Sequence, residues 1–173
     1  MSRSYAQRAK RFKDKQYGSR QMVFNEEIVK LRLMPLWLLR PHESIDLKIL
    51  DNLMKSIKTD GLLKKAIVVD QRTHIILDGH HRVKALEFID CSRVPCLLID
   101  YSSPQIVVFS WSEDKQLPKN LVIRAGLSGE LLPPKTSKHM LRVNGHMVHI
   151  SAIEPEVNMP LALLRTEQLS SSY

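Results

Sequence analysis

The stretch 76-ILDGHHRVKAL-86 sets two apolar residues before an acid, a glycine, two histidines and an arginine, then continues with helical spacing. It reads as a strand handed directly to a helix. A glycine at such a junction lets the backbone approach a ligand closely. The N-terminus of the following helix has unpaired N–H groups and a partial positive charge, which favour an anion. Arg82 offers a planar fork for phosphate or carboxylate. His80 and His81 can donate hydrogen bonds or move protons near neutral pH. Asp78 stands at the mouth, where it can bind Mg²⁺ or accept a proton from a hydroxyl. The plainer alternative is a capped helix, with Asp78 as its N-cap and exposed His and Arg behind it.

Working outward, AIVVD (66–70) and HIILD (74–78) read as two strands joined by a tight QRTH connection. Upstream, 46-DLKILDNLMKSIKTDG-61 carries Leu47, Ile49, Leu50, Leu53, Met54 and Ile57 at helical spacing. Ser44 or Asp46 is placed to cap its start, and Gly61 to stop it. Before it, 28-IVKLRLMPLWLL-39 is β-like around Pro35. Downstream, a helix over 81–90 leads to a strand over 94–101 and another over 106–111. A short helix over 117–126 is expected to end at Gly126, and Asn144-Gly145 marks a hairpin. The expected fold class is α+β: one domain over 26–165, a small mixed sheet flanked by helices, with a basic N-terminal segment (1–25) and a frayed tail (166–173).

Composition bounds the function. Of 173 residues 43% are hydrophobic and 25% charged, as in a globular chain. No apolar run approaches the roughly 20 residues of a membrane helix, and no signal-peptide core opens the chain. Cys91 and Cys96 lack the CxxC spacing and are expected to be reduced core residues of a cytoplasmic protein. The net charge is +8, but residues 1–20 carry seven Lys or Arg against Asp14 alone. The basicity therefore belongs largely to the tail, and a nucleic-acid contact is expected only there.

Two further segments carry chemistry. In 41-PHES-44, Glu43 is either a base or metal ligand, or an ordinary first-turn helix acid. In 126-GLSGELLPPKTSKHM-140, Lys135, Thr136, Ser137 and His139 sit in a stiff loop rich in phosphate-binding groups, without the order of a Walker P-loop. Trp111, closing an apolar run, is a core residue or the wall of a site.

A helix ending in DG, strands ending in LDGHHR, then VPCLLIDY, a Trp-ended strand and GELLPPKTSKH, in that order, resemble the free L-serine kinases of the ParB/sulfiredoxin-like superfamily, over about residues 30–165. The resemblance implies phosphorylation of free L-serine to O-phospho-L-serine with ATP or ADP and Mg²⁺. Sulfiredoxins read G-C-H-R at the central motif. His80 replaces that cysteine here, so sulfur chemistry lacks its nucleophile. ParB partition proteins read G-E-R-R, where this chain has His80 and His81. The kinase resemblance implies that Gly79, His80, His81 and Arg82 hold the nucleotide's phosphates, with Lys135, Thr136, Ser137 and His139 closing from the other side. Glu43 or Asp78 would take the serine proton, the other helping with Mg²⁺, and Trp111 would wall the substrate pocket. The rival readings are a ParB-like nucleotide-dependent DNA-binding module, which the basic tail favours, and a catalytically weak regulatory protein on the same scaffold, which the chain's shortness beside such kinases favours.

Overall fold

In the computed structural model the described residues are 30–165. The basic segment and the frayed tail expected from the sequence lie outside them. The elements run β1 (Lys30–Pro35), a 3₁₀ turn (Leu36–Leu38), α1 (Leu47–Asp60), β2 (Leu62–Lys65), β3 (Ile67–Asp70), β4 (Ile76–Asp78), α2 (His80–Phe88) and β5 (Arg93–Ile99). They continue with β6 (Ile106–Ser110), β7 (Gln116–Leu117), α3 (Lys119–Ser128), β8 (Ser137–Val143), β9 (His146–His149), a 3₁₀ turn (Ile150–Ile153), β10 (Glu156–Pro160) and α4 (Leu161–Leu164).

The mixed sheet expected from the sequence has the order β1-β5-β3-β4, with β3 parallel to β5 and the other pairs antiparallel. A second, antiparallel sheet has the order β7-β6-β8-β9, and β2 pairs with β10. The β8–β9 hairpin turns at Asn144 and Gly145, whose φ values of 49° and 80° suit the turn that matches strand twist. The mixed sheet is apolar on both faces. Ile67 and Val69 of β3 enter a core with Leu50, Ile57, Val83 and Leu86. Val68, between them, enters a second core with Tyr101, Ile106, Val122 and Leu141.

Helix α1 follows its sequence signals. The Asp46 carboxylate accepts the N–H groups of Lys48 and Ile49, and Gly61 ends the helix at φ 68°. Its inward stripe is Leu50, Leu53, Met54 and Ile57, while Leu47 stays 75% exposed. Ser44 caps nothing. Its hydroxyl and its N–H both donate to the Leu132 carbonyl.

Two glycines depart from their expected parts. Gly126 lies inside α3, and Gly129 caps the helix instead. A Cβ on Gly126 would come 2.6 Å from Ile75 Cγ1, so this glycine serves close packing rather than helix arrest. Gly79, not Asp78, occupies the N-cap of α2, at φ 107°. A Cβ there would stand 2.5 Å from Ile67 Cγ2. Gly79→Ala therefore combines backbone strain with a core clash and is expected to cost about 2–4 kcal/mol. A denaturant titration checks this, and an unchanged midpoint would refute it.

Candidate functional site

A cleft of about 350 Å³ lies where α2 begins, and it gathers segments far apart in the sequence. Of the residues singled out from the sequence, Glu43, Asp78, Gly79, His80, His81, Arg82, Trp111, Lys135, Ser137 and His139 line it. Thr136 does not; its hydroxyl donates to the Pro133 carbonyl, 2.7 Å away. His42 and His149 also line the cleft and were not anticipated.

The PHES segment is docked on the PPKTSKH loop by backbone bonds. Leu132 N–H donates to the His42 carbonyl and Ser44 N–H to the Leu132 carbonyl, both at 2.9 Å. This pairing carries Glu43 into the loop, which closes round its carboxylate. Lys135 N–H donates to Oε2 at 3.0 Å and Ser137 N–H to Oε1 at 2.6 Å, and the Ser137 hydroxyl makes a very short bond to Oε1. Lys135 adopts φ 57°, a left-handed conformation that costs a non-glycine residue energy. Burial pushes the Glu43 carboxyl up, but the bonds from the His42 and Ser137 side chains and from the Ser137 amide outweigh it and hold the group below its ordinary value. Glu43 is thus an ionised acid. It precedes the capping Asp46, so it is not a first-turn acid of α1. The amides of the loop already hold an anion here, and that anion is Glu43.

Three histidines, His80, His81 and His139, are held as neutral rings. His80 Nε2 accepts the His42 N–H at 3.3 Å, and His81 Nε2 accepts the Asp46 N–H at 3.0 Å. A ring nitrogen that accepts carries no proton. Burial, then the neighbouring His42 and His139, hold His80 well below its ordinary value. Burial also lowers His81, against the pull of Asp46 and Glu43. His139 is buried behind the cleft, 3.0 Å from the Tyr101 hydroxyl, and burial again keeps it neutral. Trp111 is half exposed on the cleft wall, with Lys138 Nζ 5.1 Å from its ring centre and the His149 ring at 5.8 Å.

Arg82 is placed differently from its expected phosphate-facing role. Its guanidinium donates to the Ala66 carbonyl at 2.8 Å, to Asp78 Oδ2 at 3.3 Å and, by a very short bond, to Glu154. It thereby ties α2 to the β2–β3 connection and to the segment before β10. Glu154 was not anticipated either. It is 72 residues from Arg82 in sequence, and no local pattern marks it. Two carboxyl groups share one guanidinium, so one proton is retained. Burial first, then hydrogen bonding to Asp78, raises the Glu154 carboxyl to about 8. The folded protein therefore binds this proton more tightly than the unfolded chain does. The resulting stabilisation is complete below about 4.5 and is lost as pH rises through about 8. The melting temperature is expected to fall between pH 5 and 8, and Glu154→Gln to flatten that dependence. An equally steep fall in Glu154→Gln would refute the assignment.

Among the described residues no group of three His, Cys, Asp or Glu is placed to hold a metal by protein ligands alone. A nucleotide-borne Mg²⁺ needs only one or two carboxylates, with phosphates and water completing its shell. Asp78, with a side chain 30% exposed at the start of α2, meets that requirement. Glu43, with three loop donors already on its carboxylate, is the less available of the two.

Known proteins bear on this site in three ways. The family model of the ParB N-terminal domain matches residues 17–114. Among curated relatives, a ParB-like protein of Sulfolobus acidocaldarius is 36% identical over 74 residues, 43% of this chain and 37% of that one. The ADP-dependent L-serine kinase SerK of Thermococcus kodakarensis is 31% identical over 77 residues, 42% of this chain and 32% of that one. The matched stretch thus spans about a third of each relative. Among solved structures, a free serine kinase in complex with AMP superposes with a TM-score of 0.65 at 16% identity, covering 79% of this chain and 94% of that one. At that identity the likeness is one of fold.

Proposed function

Since the chain belongs to the ParB N-terminal domain family, in which the central motif here reads D-G-H-H-R, we propose that it is a nucleotide-dependent kinase of free L-serine. It would transfer the terminal phosphoryl group of ATP or ADP to the serine hydroxyl, giving O-phospho-L-serine. The observation that carries this reading is an ionised Glu43, gripped by the loop amides, lining the same cleft as the open N-terminus of α2. One part suits a hydroxyl proton and the other suits phosphate. The 31% identity to an ADP-dependent L-serine kinase supports the choice of acceptor.

Phosphoryl transfer asks for positioning and charge neutralisation more than covalent chemistry. The serine hydroxyl oxygen attacks the terminal phosphorus, the bond to the bridging oxygen breaks, and the hydroxyl proton passes to Glu43. The backbone N–H groups at His80 and His81 hold phosphate oxygens, which Gly79 lets approach closely. Neutral His80 and His81 leave Nδ1–H as the ring donor. Asp78 would hold Mg²⁺, which when bound neutralises developing phosphate charge. Lys135, exposed above Glu43, is free to swing over the nucleotide, and Trp111 closes the wall.

The test incubates the purified chain with L-serine, Mg²⁺ and either ATP or ADP, and follows O-phosphoserine by ³¹P NMR. Product with one nucleotide supports the reading, and no product with either overturns it. The 36% identity to a ParB-like protein favours a second reading, a DNA-associated module. That reading calls for salt-dependent DNA binding that disappears on deletion of residues 1–20.

A further inference from the structure

We propose that His42, acting through the Ser137 hydroxyl, is a positioning residue that sets the proton state of Glu43 and leaves Glu43 Oε2 as the oxygen that receives the serine proton. The inference rests on the kinase reading for its substrate, but the proton arrangement stands on the hydrogen bonds alone.

His42 is buried. Its Nδ1 lies 2.7 Å from the Ile76 carbonyl of β4, which can only accept, so Nδ1 carries a hydrogen. Its Nε2 lies 2.8 Å from Ser137 Oγ, and that oxygen in turn bonds Glu43 Oε1. Two junctions therefore share a single hydroxyl hydrogen. If Ser137 donates to Glu43, then His42 Nε2 must donate to Ser137, and the ring is an imidazolium. If Ser137 donates to His42, then Glu43 must be protonated on Oε1. In either arrangement the Glu43–Ser137–His42 chain holds one proton more than a carboxylate, a hydroxyl and a neutral ring supply.

The groups facing His42 bear on where that proton sits. Glu43 Oε1 lies 3.7 Å from Nε2 and draws it to the ring. The His80 ring of α2, at 4.5 Å, and the His139 ring of β8, at 5.5 Å, meet His42 edge-on. Both are neutral and add no charge. With the proton on His42, Glu43 is a full carboxylate. Its Oε1 is saturated by the Ser137 amide and hydroxyl, while Oε2 takes only the Lys135 amide and keeps an open acceptor position. When a serine hydroxyl attacks the terminal phosphorus, its O–H bond breaks and an Oε2–H bond forms, while the new O–P bond replaces the one to the bridging oxygen. Ser137 thus acts behind the acid and not as the phosphate ligand its sequence context suggested.

The test reads His42 directly in the nucleotide-free full chain, by NMR of ¹⁵N-labelled histidine rings across pH 5–8. The doubly protonated ring of wild type is expected to give way to the neutral ring at a midpoint about one pH unit lower, or more, in Glu43→Gln and in Ser137→Ala. Ser137→Thr, which keeps the hydroxyl, is expected to retain the wild-type midpoint. Equal midpoints in wild type, Glu43→Gln and Ser137→Ala would overturn the coupling. This arm needs no turnover, so it judges the proposal even if the wild-type protein forms no phosphoserine, a result that would sink the kinase reading by itself. In the kinetic arm, Ser137→Ala raises the acid limb of the kcat profile by about one pH unit and leaves the nucleotide KM within about twofold. A raised nucleotide KM with an unmoved acid limb would make Ser137 a phosphate ligand and overturn the proposal.

Discussion

Phosphoserine formation by Glu43→Gln is expected to fall by roughly 10²–10⁴ relative to wild type, while nucleotide affinity barely moves. On the kinase reading this carboxylate, whose donors all come from the loop around Lys135 and Ser137, would meet the acceptor hydroxyl rather than the phosphates. Glutamine keeps the shape of the side chain but has no basic oxygen to take a proton. The structural cost is a separate quantity. Lys135 N–H, Ser137 N–H and the Ser137 hydroxyl all donate to Glu43, and an amide NH₂ turned toward any of them loses that bond, at about 1–3 kcal/mol. A lowered melting temperature is therefore expected together with the lost rate. Single-turnover phosphoserine formation, measured beside a nucleotide titration, separates the two effects. Wild-type turnover in a folded Glu43→Gln protein would leave Asp78 as the remaining candidate acid.

Asp78→Asn is expected to lower turnover by on the order of 10² or more, with a different signature. Asp78 sits beside the start of α2, near where the phosphates would lie, so the apparent Mg²⁺ requirement should rise along with the fall in rate. The carboxylate is also one of two that share Arg82. Removing its charge relieves Glu154 of the neighbour that helps keep it protonated, so the Glu154 carboxyl should titrate lower in the variant. The stability-versus-pH curve of Asp78→Asn should accordingly lose part of its fall toward pH 8. Normal phosphoserine output at limiting Mg²⁺ would count against the site.

Much of this was readable from the chain. Helix α1, the β3–β4 hairpin, the strand-to-helix handover at Gly79 and the Asn144-Gly145 turn are all announced by residues close together in sequence, where period, capping and turn chemistry operate. The cleft was legible too, because DGHHR and PPKTSKH each concentrate polar groups in a few positions. What escaped depends on distance along the chain. Arg82 reads locally as a phosphate fork, yet its partners Ala66 and Glu154 are 16 and 72 residues away. His42 passed as the neighbour of an interesting acid, because the carbonyl and hydroxyl that fix its ring are contributed by residues 34 and 95 positions on. Gly126 looked like a helix stop because nothing local reveals that Ile75 presses on it.

The mixed sheet, apolar on both faces, has a consequence for how its strands find their places. In a sheet with one wet face, a slip of one residue turns greasy side chains toward water and is punished at once. Here Ile67 and Val69 serve one core and Val68 the other, so a slipped β3 would still bury apolar surface on both sides. Oil alone cannot tell the right alignment from the wrong one. The discrimination must fall to polar groups that fit only one way. Asp70, buried at the end of β3, accepts from the Thr73 amide and hydroxyl and from the Tyr101 amide. At the other end, Arg82 grips the Ala66 carbonyl just before β3 begins. These two charges bracket a four-residue strand like dowels at the ends of a plank. The arginine that looked like a ligand hook is, on this view, part of what lets the protein count its own residues.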